Sequence, residues 1–437
     1  MISYSVSPGK PLTGSLTLPG DKSISHRSVI FGSIAKGRSV IEDILLSEDV
    51  WMTINAFRTC GIDIRQDGSE LTIEGKGLGG LQKPHSDIYC GNSGTSLRLL
   101  TGLFAAQQFP SRFTGDESLS TRPMLRVVEP LRQMGANITL SDNNSLPVSI
   151  TPSERLSPIV WKLPVASAQV TSAILLAGLY AVGKTTVVEP ELTRNHTMNF
   201  LDAFGCPVER DSGRISITGG SQLTGQRIQV PADFSSAAFY IVAATVTPGS
   251  DLTLKGVGVN PTRTGLLDVL KSMGAKVELM NAREVGPEPV ADIRVQCADS
   301  LEGTVVNPDL IPKMIDEIPI LAVAAACADG VTVISGCEEL RVKESDRIHS
   351  VTTGLANIGI SVSERHDGFV IQGSKRSGGT VDSFGDHRIA MAFAIAGSVS
   401  ETGVEVMNCD CVNTSFPGFA DIARTAGMNI VESGTGK

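Results

Sequence analysis

The sequence is poor in aromatic and charged residues and has no excess of positive charge. Aromatic residues make up 5% and charged residues 19% of the 437 residues, and 37 basic against 46 acidic side chains give a net charge of −9. A chain with this balance has no overall positive field to hold nucleic acid or an anionic membrane. Any anionic ligand must therefore be bound by local clusters of cations.

The cysteine pattern and the apolar runs exclude further classes of protein. The eight cysteines include no CxxC pair and no regular spacing, so we expect reduced core thiols and no disulfide framework. Cys409 and Cys411 form a C-x-C pair, which alternation along a strand explains as well as a metal does, and we expect no metal site. The longest apolar run, residues 318–327, is too short to cross a bilayer, and the first twenty residues lack the features of a secretion signal. A cytoplasmic protein without membrane contact is expected.

The length exceeds what one hydrophobic core usually serves, so two domains are expected. Hydrophobic residues make up 41% of the chain, which also has 45 glycines and 22 prolines. This composition is typical of a globular protein with many tight turns.

A segment that ends an amphipathic helix, followed by a glycine and then a strand, recurs six times. In each copy the glycine suits the left-handed position after a helix, and the next residues alternate like a half-buried strand. Upstream of each glycine lies a helix-length run of small apolar residues, which predicts a buried helix. One or two further strands complete each copy, so the repeat is interpreted as βαβαββ. The six glycines are Gly61, Gly135, Gly205, Gly274, Gly359 and Gly427.

Six repeats in two domains predict three repeats per domain. Turn residues favour boundaries near Pro19-Gly20 and Val230-Pro231, giving one domain of residues 20–230 and a second of residues 1–19 plus 231–437. The last repeat ends without its closing strands, so we expect the strands within residues 2–18 to supply them. The start of the chain would then pair with its end.

Polar stretches stand just before the buried helices, at equivalent places in the repeats. A helix start carries unpaired N–H groups and partial positive charge, so such ends suit anions. Many residues there are ordinary helix caps, such as Asp21, Ser25, Ser167, Asp233 and Asp386. Capping does not explain the cations, which oppose the helix dipole unless an anion binds. These cations are Lys22, Arg27, Arg122, Lys343, Arg347 and Arg388, whereas Arg98, Arg126 and His26 are interpreted as structural.

Five of these stretches resemble the motifs of a known family. They are GDKSISHR (20–27), GNSGTSLR (91–98), STRPM (120–124), RVKESDR (341–347) and GDHRIAMA (385–392). Together and in this order they resemble the 5-enolpyruvylshikimate 3-phosphate synthase family over the whole chain. The resemblance implies an α/β fold of two domains, each an inside-out α/β barrel of three βαβαββ units with buried helices. It also implies an active site in the cleft between the domains.

The implied reaction transfers the enolpyruvyl group of phosphoenolpyruvate to the 5-hydroxyl of shikimate 3-phosphate, in aromatic amino acid biosynthesis, with no cofactor and no metal. Its substrates are small molecules, no nucleic acid is involved, and a monomer is expected. The implied shikimate 3-phosphate contacts are Lys22, Ser23, Arg27, Ser167, Ala168, Gln169, Arg194, Asp316 and Lys343. The implied phosphoenolpyruvate contacts are Lys22, Gly94, Arg122, Gln169, Arg347 and Arg388.

The implied chemistry needs an acid and a base in one pocket. We assign Asp316 as the base and Glu344 with Lys22 as the proton donors, and the two carboxylates could exchange roles. The chain also departs from the family, because Thr414-Ser415-Phe416-Pro417 lacks the lysine that many members carry before this TFP-like segment. One usual cation near phosphoenolpyruvate is therefore missing.

Three alternative functions stay open from the sequence. A transferase acting on UDP-N-acetylglucosamine shares the six-repeat fold but carries a different first motif and a loop cysteine. An RNA-terminal phosphate cyclase has similar units, which the charge of −9 disfavours. A noncatalytic repeat scaffold would explain the periodicity but not the cations clustered beside acids.

Overall fold

The computed structural model describes residues 1–374 and 376–434. The chain divides into two units of dense internal packing. Unit I comprises Gly20–Val230 with Glu284–Glu288, and unit II comprises Met1–Pro19, Pro231–Arg283 and Pro289–Lys437. The second domain expected from the sequence included residues 284–288, which the structure groups with unit I instead.

The elements follow one another in short alternation. The strands are β1 Ser3–Ser7, β2 Thr13–Thr17, β3 Lys36–Glu42, β4 Asp63–Asp67, β5 Glu70–Lys76, β6 Ile88–Tyr89, β7 Ser111–Thr114, β8 Asn137–Thr139, β9 Val148–Thr151, β10 Val160–Lys162, β11 Lys184–Val188, β12 Glu209–Asp211, β13 Arg214–Thr218, β14 Arg227–Gln229, β15 Asp251–Gly258, β16 Lys276–Val285, β17 Glu288–Gln296, β18 Val331–Ile334, β19 Ser361–Arg365, β20 Gly368–Gln372, β21 Gly379–Asp382, β22 Val404–Met407 and β23 Asn429–Ser433. The α-helices are α1 Lys22–Ile34, α2 Glu48–Thr59, α3 Gly94–Phe104, α4 Glu117–Ser120, α5 Leu125–Gln133, α6 Ala168–Gly178, α7 His196–Ala203, α8 Phe234–Val246, α9 Gly265–Ser272, α10 Ile318–Cys327, α11 Arg347–Asn357, α12 His387–Ser398 and α13 Phe419–Thr425. Short 3₁₀ helices lie at Pro308–Lys313, Ile315–Glu317, Glu338–Val342 and Cys409–Thr414.

The described part of the chain forms six small sheets, one for each repeat. Five of these sheets have a parallel pair of strands at one side, followed by antiparallel pairing. The sheet orders are β14-β3-β5-β4, β6-β7-β9-β8 and β10-β11-β13-β12 in unit I, and β2-β15-β17-β16, β18-β20-β19 and β21-β22-β1-β23 in unit II. In the three-stranded sheet, a parallel bridge between Val305 and Val333 takes the place of the missing first strand.

Three of the sheets are completed by strands from distant parts of the chain. Strand β1 pairs antiparallel with both β22 and β23, so the start of the chain lies beside its end. Strand β2 does not join them, because it pairs in parallel with β15 of the fourth repeat. In unit I, β14 supplies the first strand of the first repeat by pairing with β3.

The six repeat glycines end the amphipathic helices α2, α5, α7, α9, α11 and α13. All six have positive φ, between 80° at Gly61 and 105° at Gly427. In the first copy the Gly61 N–H donates to Arg58 O and the Ile62 N–H donates to Phe57 O. The same two bonds recur in the other five copies and satisfy the last carbonyls of each helix. The prediction of a helix, a glycine stop and a strand is confirmed.

The other set of helices forms the cores. Helices α1, α3 and α6 are buried along most of their length in unit I, and α8, α10 and α12 are buried in unit II. The expected fold class, with three βαβαββ units in each half and buried helices, is confirmed. Within residues 1–374 and 376–434, every helix is too short or too polar to cross a bilayer.

Candidate active site

In unit I, the first turn of α1 carries Lys22 beside a buried carboxylate. Asp21 caps the helix by accepting a hydrogen bond from the Ile24 N–H at 2.8 Å, so Lys22 is the first helical residue. Its Nζ lies 2.9 Å from Asp49 Oδ2 at the start of α2. Because Lys22 opposes the helix dipole, the Asp49 carboxylate provides the charge that makes this position tolerable.

Arg27 lies one turn further along α1 and is almost completely buried. Its Nε donates to Thr197 Oγ1 at 2.7 Å, its Nη2 donates to Ser172 Oγ at 3.1 Å, and its Nη1 donates to the Ser23 carbonyl at 3.0 Å. The guanidinium therefore joins α1 to the starts of α6 and α7. Ser23 and Arg27, both expected to contact shikimate 3-phosphate, are therefore in contact with each other.

Gly94 is the first residue of α3, and two arginines face it. A Cβ at this position would lie 3.2 Å from Arg122 Nη1 and 3.3 Å from Arg98 Nη1. Arg122 donates through Nη2 to Asn92 Oδ1 at 2.6 Å, and Arg98 donates through Nη1 to Gln169 Oε1. The backbone at Gly94 and these guanidinium groups form a compact group of hydrogen-bond donors.

The start of α6 adds three further residues of the expected site. Ser167 caps the helix through the Val170 N–H at 3.4 Å, Ala168 is the first helical residue, and Gln169 Nε2 donates to Thr95 Oγ1 at 3.0 Å. Gln169 therefore connects the first turn of α6 to that of α3. Arg194 lies in the segment before α7 and is partly buried.

In unit II, Arg347 is 1% exposed and contacts three carboxylates. Its Nε lies 2.7 Å from Asp386 Oδ2, its Nη2 lies 2.6 Å from Glu344 Oε2, and its Nη1 lies 3.1 Å from Asp316 Oδ1. Burial opposes the charge, but the carboxylates raise the pKa of Arg347 above its ordinary value. One permanently charged guanidinium thus holds both candidate proton-transfer groups.

Arg388 approaches Asp316 from the second position of α12. Its Nη1 donates to the Asp316 carbonyl at 3.0 Å, and its Nη2 lies 3.7 Å from Asp316 Oδ2. Nη1 also lies 3.6 Å from Oε1 of Glu317, whose side chain is completely buried. Lys343 follows the 3₁₀ helix Glu338–Val342 and is partly buried, next to Glu344 in the chain.

The two units differ in the charge of these residues. The group in unit I contains five cations, and the carboxylate of Asp49 pairs with one of them, Lys22. The five cations are Lys22, Arg27, Arg98, Arg122 and Arg194. The group in unit II sets Asp316, Glu344 and Asp386 against Arg347 and Arg388. The first group is suited to binding anions, and the second combines carboxylates suited to proton transfer with cations that could also bind an anion.

Comparison with known proteins agrees with the motifs. A family model described as EPSP synthase (3-phosphoshikimate 1-carboxyvinyltransferase) matches residues 6–422. The chain belongs to the EPSP synthase family.

Curated relatives of this family are similar over almost their whole length. The 3-phosphoshikimate 1-carboxyvinyltransferase of Acidithiobacillus ferrooxidans is 53% identical over 429 residues, covering 98% of this chain and 98% of the relative. That of Methylococcus capsulatus is 50% identical over 428 residues, with the same coverage of both chains.

Solved structures of EPSP synthases have the same fold. An EPSP synthase of Acinetobacter baumannii is 47% identical with a TM-score of 0.89, covering 99% of this chain and 100% of that chain. The enolpyruvyl transferase NikO of Streptomyces tendae, at 18% identity and a TM-score of 0.79, covers 99% of both chains and shares the fold.

Several residues of these groups were missed in the sequence. Asp49 and Asn92 contact Lys22 and Arg122, but they are ordinary polar residues without a signal of their own. Asp386 was interpreted as a cap, which it is, and it also pairs with Arg347. Arg98 was interpreted as structural, but it donates a hydrogen bond to Gln169, which is expected to contact both substrates. Its place at the end of the GNSGTSLR motif was the available signal.

Three local expectations are wrong. Arg122 does not open a helix, because residues 121–124 connect α4 to α5. Ser25 lies inside α1 and accepts a hydrogen bond from the Leu45 N–H rather than capping. Cys409 and Cys411 lie in the 3₁₀ helix Cys409–Thr414 and do not alternate along a strand.

Proposed function

We propose that this chain transfers the enolpyruvyl group of phosphoenolpyruvate to the 5-hydroxyl of shikimate 3-phosphate, releasing phosphate. This is the 3-phosphoshikimate 1-carboxyvinyltransferase reaction of aromatic amino acid biosynthesis. The observation that carries the proposal is the pair of carboxylates, Asp316 and Glu344, held by the buried guanidinium of Arg347. Titratable groups gathered around a buried cation are typical of functional sites.

Shikimate 3-phosphate carries one phosphate, one carboxylate and two hydroxyls that need partners. We assign the anionic groups to residues of unit I, where the starts of α1 and α6 offer N–H groups and cations. These residues are Lys22, Ser23, Arg27, Ser167, Ala168, Gln169 and Arg194. The hydroxyls go to Asp316 and Lys343, because a carboxylate accepts and an ammonium donates.

Phosphoenolpyruvate carries a phosphate and a carboxylate close together, and arginines bind both by paired hydrogen bonds. Arg122 has its Nη1 beside Gly94, and Arg347 and Arg388 flank Asp316. We assign these three arginines, with Lys22, Gly94 and Gln169, to phosphoenolpyruvate. Gly94 leaves room for the anion, because a side chain there would occupy the space in front of the guanidinium groups.

The reaction proceeds by addition and then elimination. In the addition, the 5-hydroxyl oxygen bonds C2 of phosphoenolpyruvate, its proton goes to Asp316, and C3 gains a proton from Glu344 or Lys22. In the elimination, the C2–O bond to phosphate breaks and the methyl group at C3 returns a proton, so phosphate is the leaving group. General acid and base steps of this kind contribute about 10²–10⁴ in rate each.

The test is a phosphate-release assay with the purified chain. Release from phosphoenolpyruvate that requires shikimate 3-phosphate supports the proposal. Release that requires UDP-N-acetylglucosamine instead would assign the chain to a different enolpyruvyl transfer, and no release with either acceptor would favour a scaffold.

A further inference from the structure

We propose that a buried chain of hydrogen bonds, His26–Thr53–Ser96–Ser93, positions the phosphoenolpyruvate-binding end of α3, with Thr53 as its central link. We call these four residues the hydroxyl chain. None of them is assigned to a substrate, and all four are completely buried. The inference rests on the proposed function, because it assigns positioning residues to one of the two substrates.

The hydroxyl chain runs through three helices. His26 Nδ1 lies 2.8 Å from Thr53 Oγ1, Thr53 Oγ1 lies 2.7 Å from Ser96 Oγ, and Ser96 Oγ lies 2.8 Å from Ser93 Oγ. His26 belongs to α1, Thr53 to α2, and Ser96 to α3. Ser93 is the N-cap of α3 and accepts from the Ser96 N–H at 3.1 Å.

The direction of the hydrogen bonds follows from the histidine. Burial, with the nearby charges of Lys22 and Arg27, lowers the pKa of His26 well below its ordinary value, so the imidazole is neutral. Its Nε2 is buried with no hydrogen-bond partner among the described residues. A buried acceptor without a partner is less costly than a buried donor, which places the proton on Nδ1. His26 then donates to Thr53, Thr53 to Ser96, and Ser96 to Ser93.

The position of the hydroxyl chain connects it to substrate binding. Ser93 and Ser96 flank Gly94, the residue facing Arg98 and Arg122. Thr53 lies one helical turn after Asp49, the partner of Lys22. Helix starts that bind anions act through backbone N–H groups, whose direction depends on the cap. A fixed cap therefore fixes the direction of the N–H groups offered to phosphoenolpyruvate.

The experiment replaces Thr53 by valine, which keeps the shape and removes the hydroxyl. We expect the KM for phosphoenolpyruvate to rise about tenfold, since small displacements of binding groups cost up to about 10²-fold. The KM for shikimate 3-phosphate should change by less than about twofold, because Arg27 and Ser167 keep their own partners. Thr53→Ser retains the hydroxyl and should restore the KM for phosphoenolpyruvate.

The matched control is Thr101→Val on α3, the helix that the hydroxyl chain is proposed to position. Thr101 is also completely buried, and its Oγ1 donates to the Leu97 carbonyl within α3, at 2.6 Å. Both valine variants lose one buried hydroxyl, so a general loss of stability lowers the melting temperature of both. Only the Thr53 variant should shift the KM for phosphoenolpyruvate.

Equal kinetic constants for the two valine variants, or equal shifts in both KM values, would overturn the inference. If Thr53→Val does not fold, Ser96→Ala removes the next link and must raise the KM for phosphoenolpyruvate selectively. If the wild-type chain shows no phosphate release that depends on shikimate 3-phosphate, the proposed function itself is refuted. The two failures can therefore be told apart.

Discussion

Gly94→Ala tests whether the first residue of α3 serves for space or for backbone conformation. Gly94 begins the helix and is absent from the glycines with positive φ, so alanine causes no backbone strain there. The added Cβ would lie 3.2 Å from Arg122 Nη1 and 3.3 Å from Arg98 Nη1. These contacts are only slightly tighter than ordinary van der Waals contacts, and the atoms end flexible side chains.

The expected effects on stability and on binding therefore differ. Alanine is favoured over glycine in helices by up to about 1 kcal/mol, which offsets the cost of moving two guanidinium ends. The free energy of unfolding should thus change by less than about 1 kcal/mol. Displacing Arg122 weakens its proposed charge-assisted hydrogen bond to phosphoenolpyruvate, and such a bond contributes about 1.5–3 kcal/mol. We expect a rise of about tenfold or more in the KM for phosphoenolpyruvate, with that for shikimate 3-phosphate nearly unchanged.

The assay combines steady-state kinetics, inhibition by glyphosate and melting temperature. Glyphosate has one more atom than phosphoenolpyruvate between its carboxylate carbon and its phosphorus and is therefore longer, so its affinity should fall more than that of the substrate. Gly102→Ala is the control, because its Cβ would lie 2.2 Å from the Ala173 carbonyl oxygen and must lower stability. A lower melting temperature for Gly94→Ala, with unchanged KM and inhibition constants, would refute the role of Gly94 in binding.

Three further predictions concern the acidic residues and the thiols. Asp316→Asn and Glu344→Gln should each lower kcat by about two or more orders of magnitude while shikimate 3-phosphate still binds by calorimetry; turnover near wild type would remove that residue from the mechanism. Asp386→Asn keeps a capping side chain but removes the negative charge that pairs with Arg347, so the free energy of unfolding measured with denaturant should fall by about 3 kcal/mol. A fall of less than about 1 kcal/mol would contradict the pairing. Burial raises the pKa of Cys90 to about 12, and the five buried cysteines should resist DTNB at pH 8 in the folded chain; their rapid reaction would show that the cores open.

The repeat architecture could be predicted because its signals are local. Each helix ends at a glycine that needs positive φ, and each closing pair of hydrogen bonds spans fewer than six residues, as between Ile62 and Phe57. The buried helices are uniformly apolar, which a sequence displays directly. Strand partners are less local, and β2 was assigned wrongly because its pairing with β15 crosses more than 200 residues of chain.

The ion pairs of the candidate site that join distant parts of the chain could not be predicted, for a physical reason. Asp49 and Lys22 are 27 residues apart, and Arg347 and Asp386 are 39 apart. A carboxylate far along the chain has the same sequence appearance whether it pairs with an arginine or faces water. Only the fold decides which of the 46 acidic residues meets a buried cation.

The same repeat position serves two kinds of chemistry in this chain. In unit I, the starts of α1 and α6 present Lys22 and Gln169, so their N–H groups and side chains are suited to anionic ligands. In unit II, Asp386 caps α12 by accepting from the Arg388 N–H at 2.9 Å, as Asp21 caps α1 in unit I, and Asp386 also pairs with Arg347. A phosphate at that helix start would have to displace Asp386 from both the N–H group and Arg347, at the cost of leaving a buried carboxylate unpaired. We therefore expect a phosphate at the start of α6, whose cap is the uncharged Ser167, rather than at the start of α12.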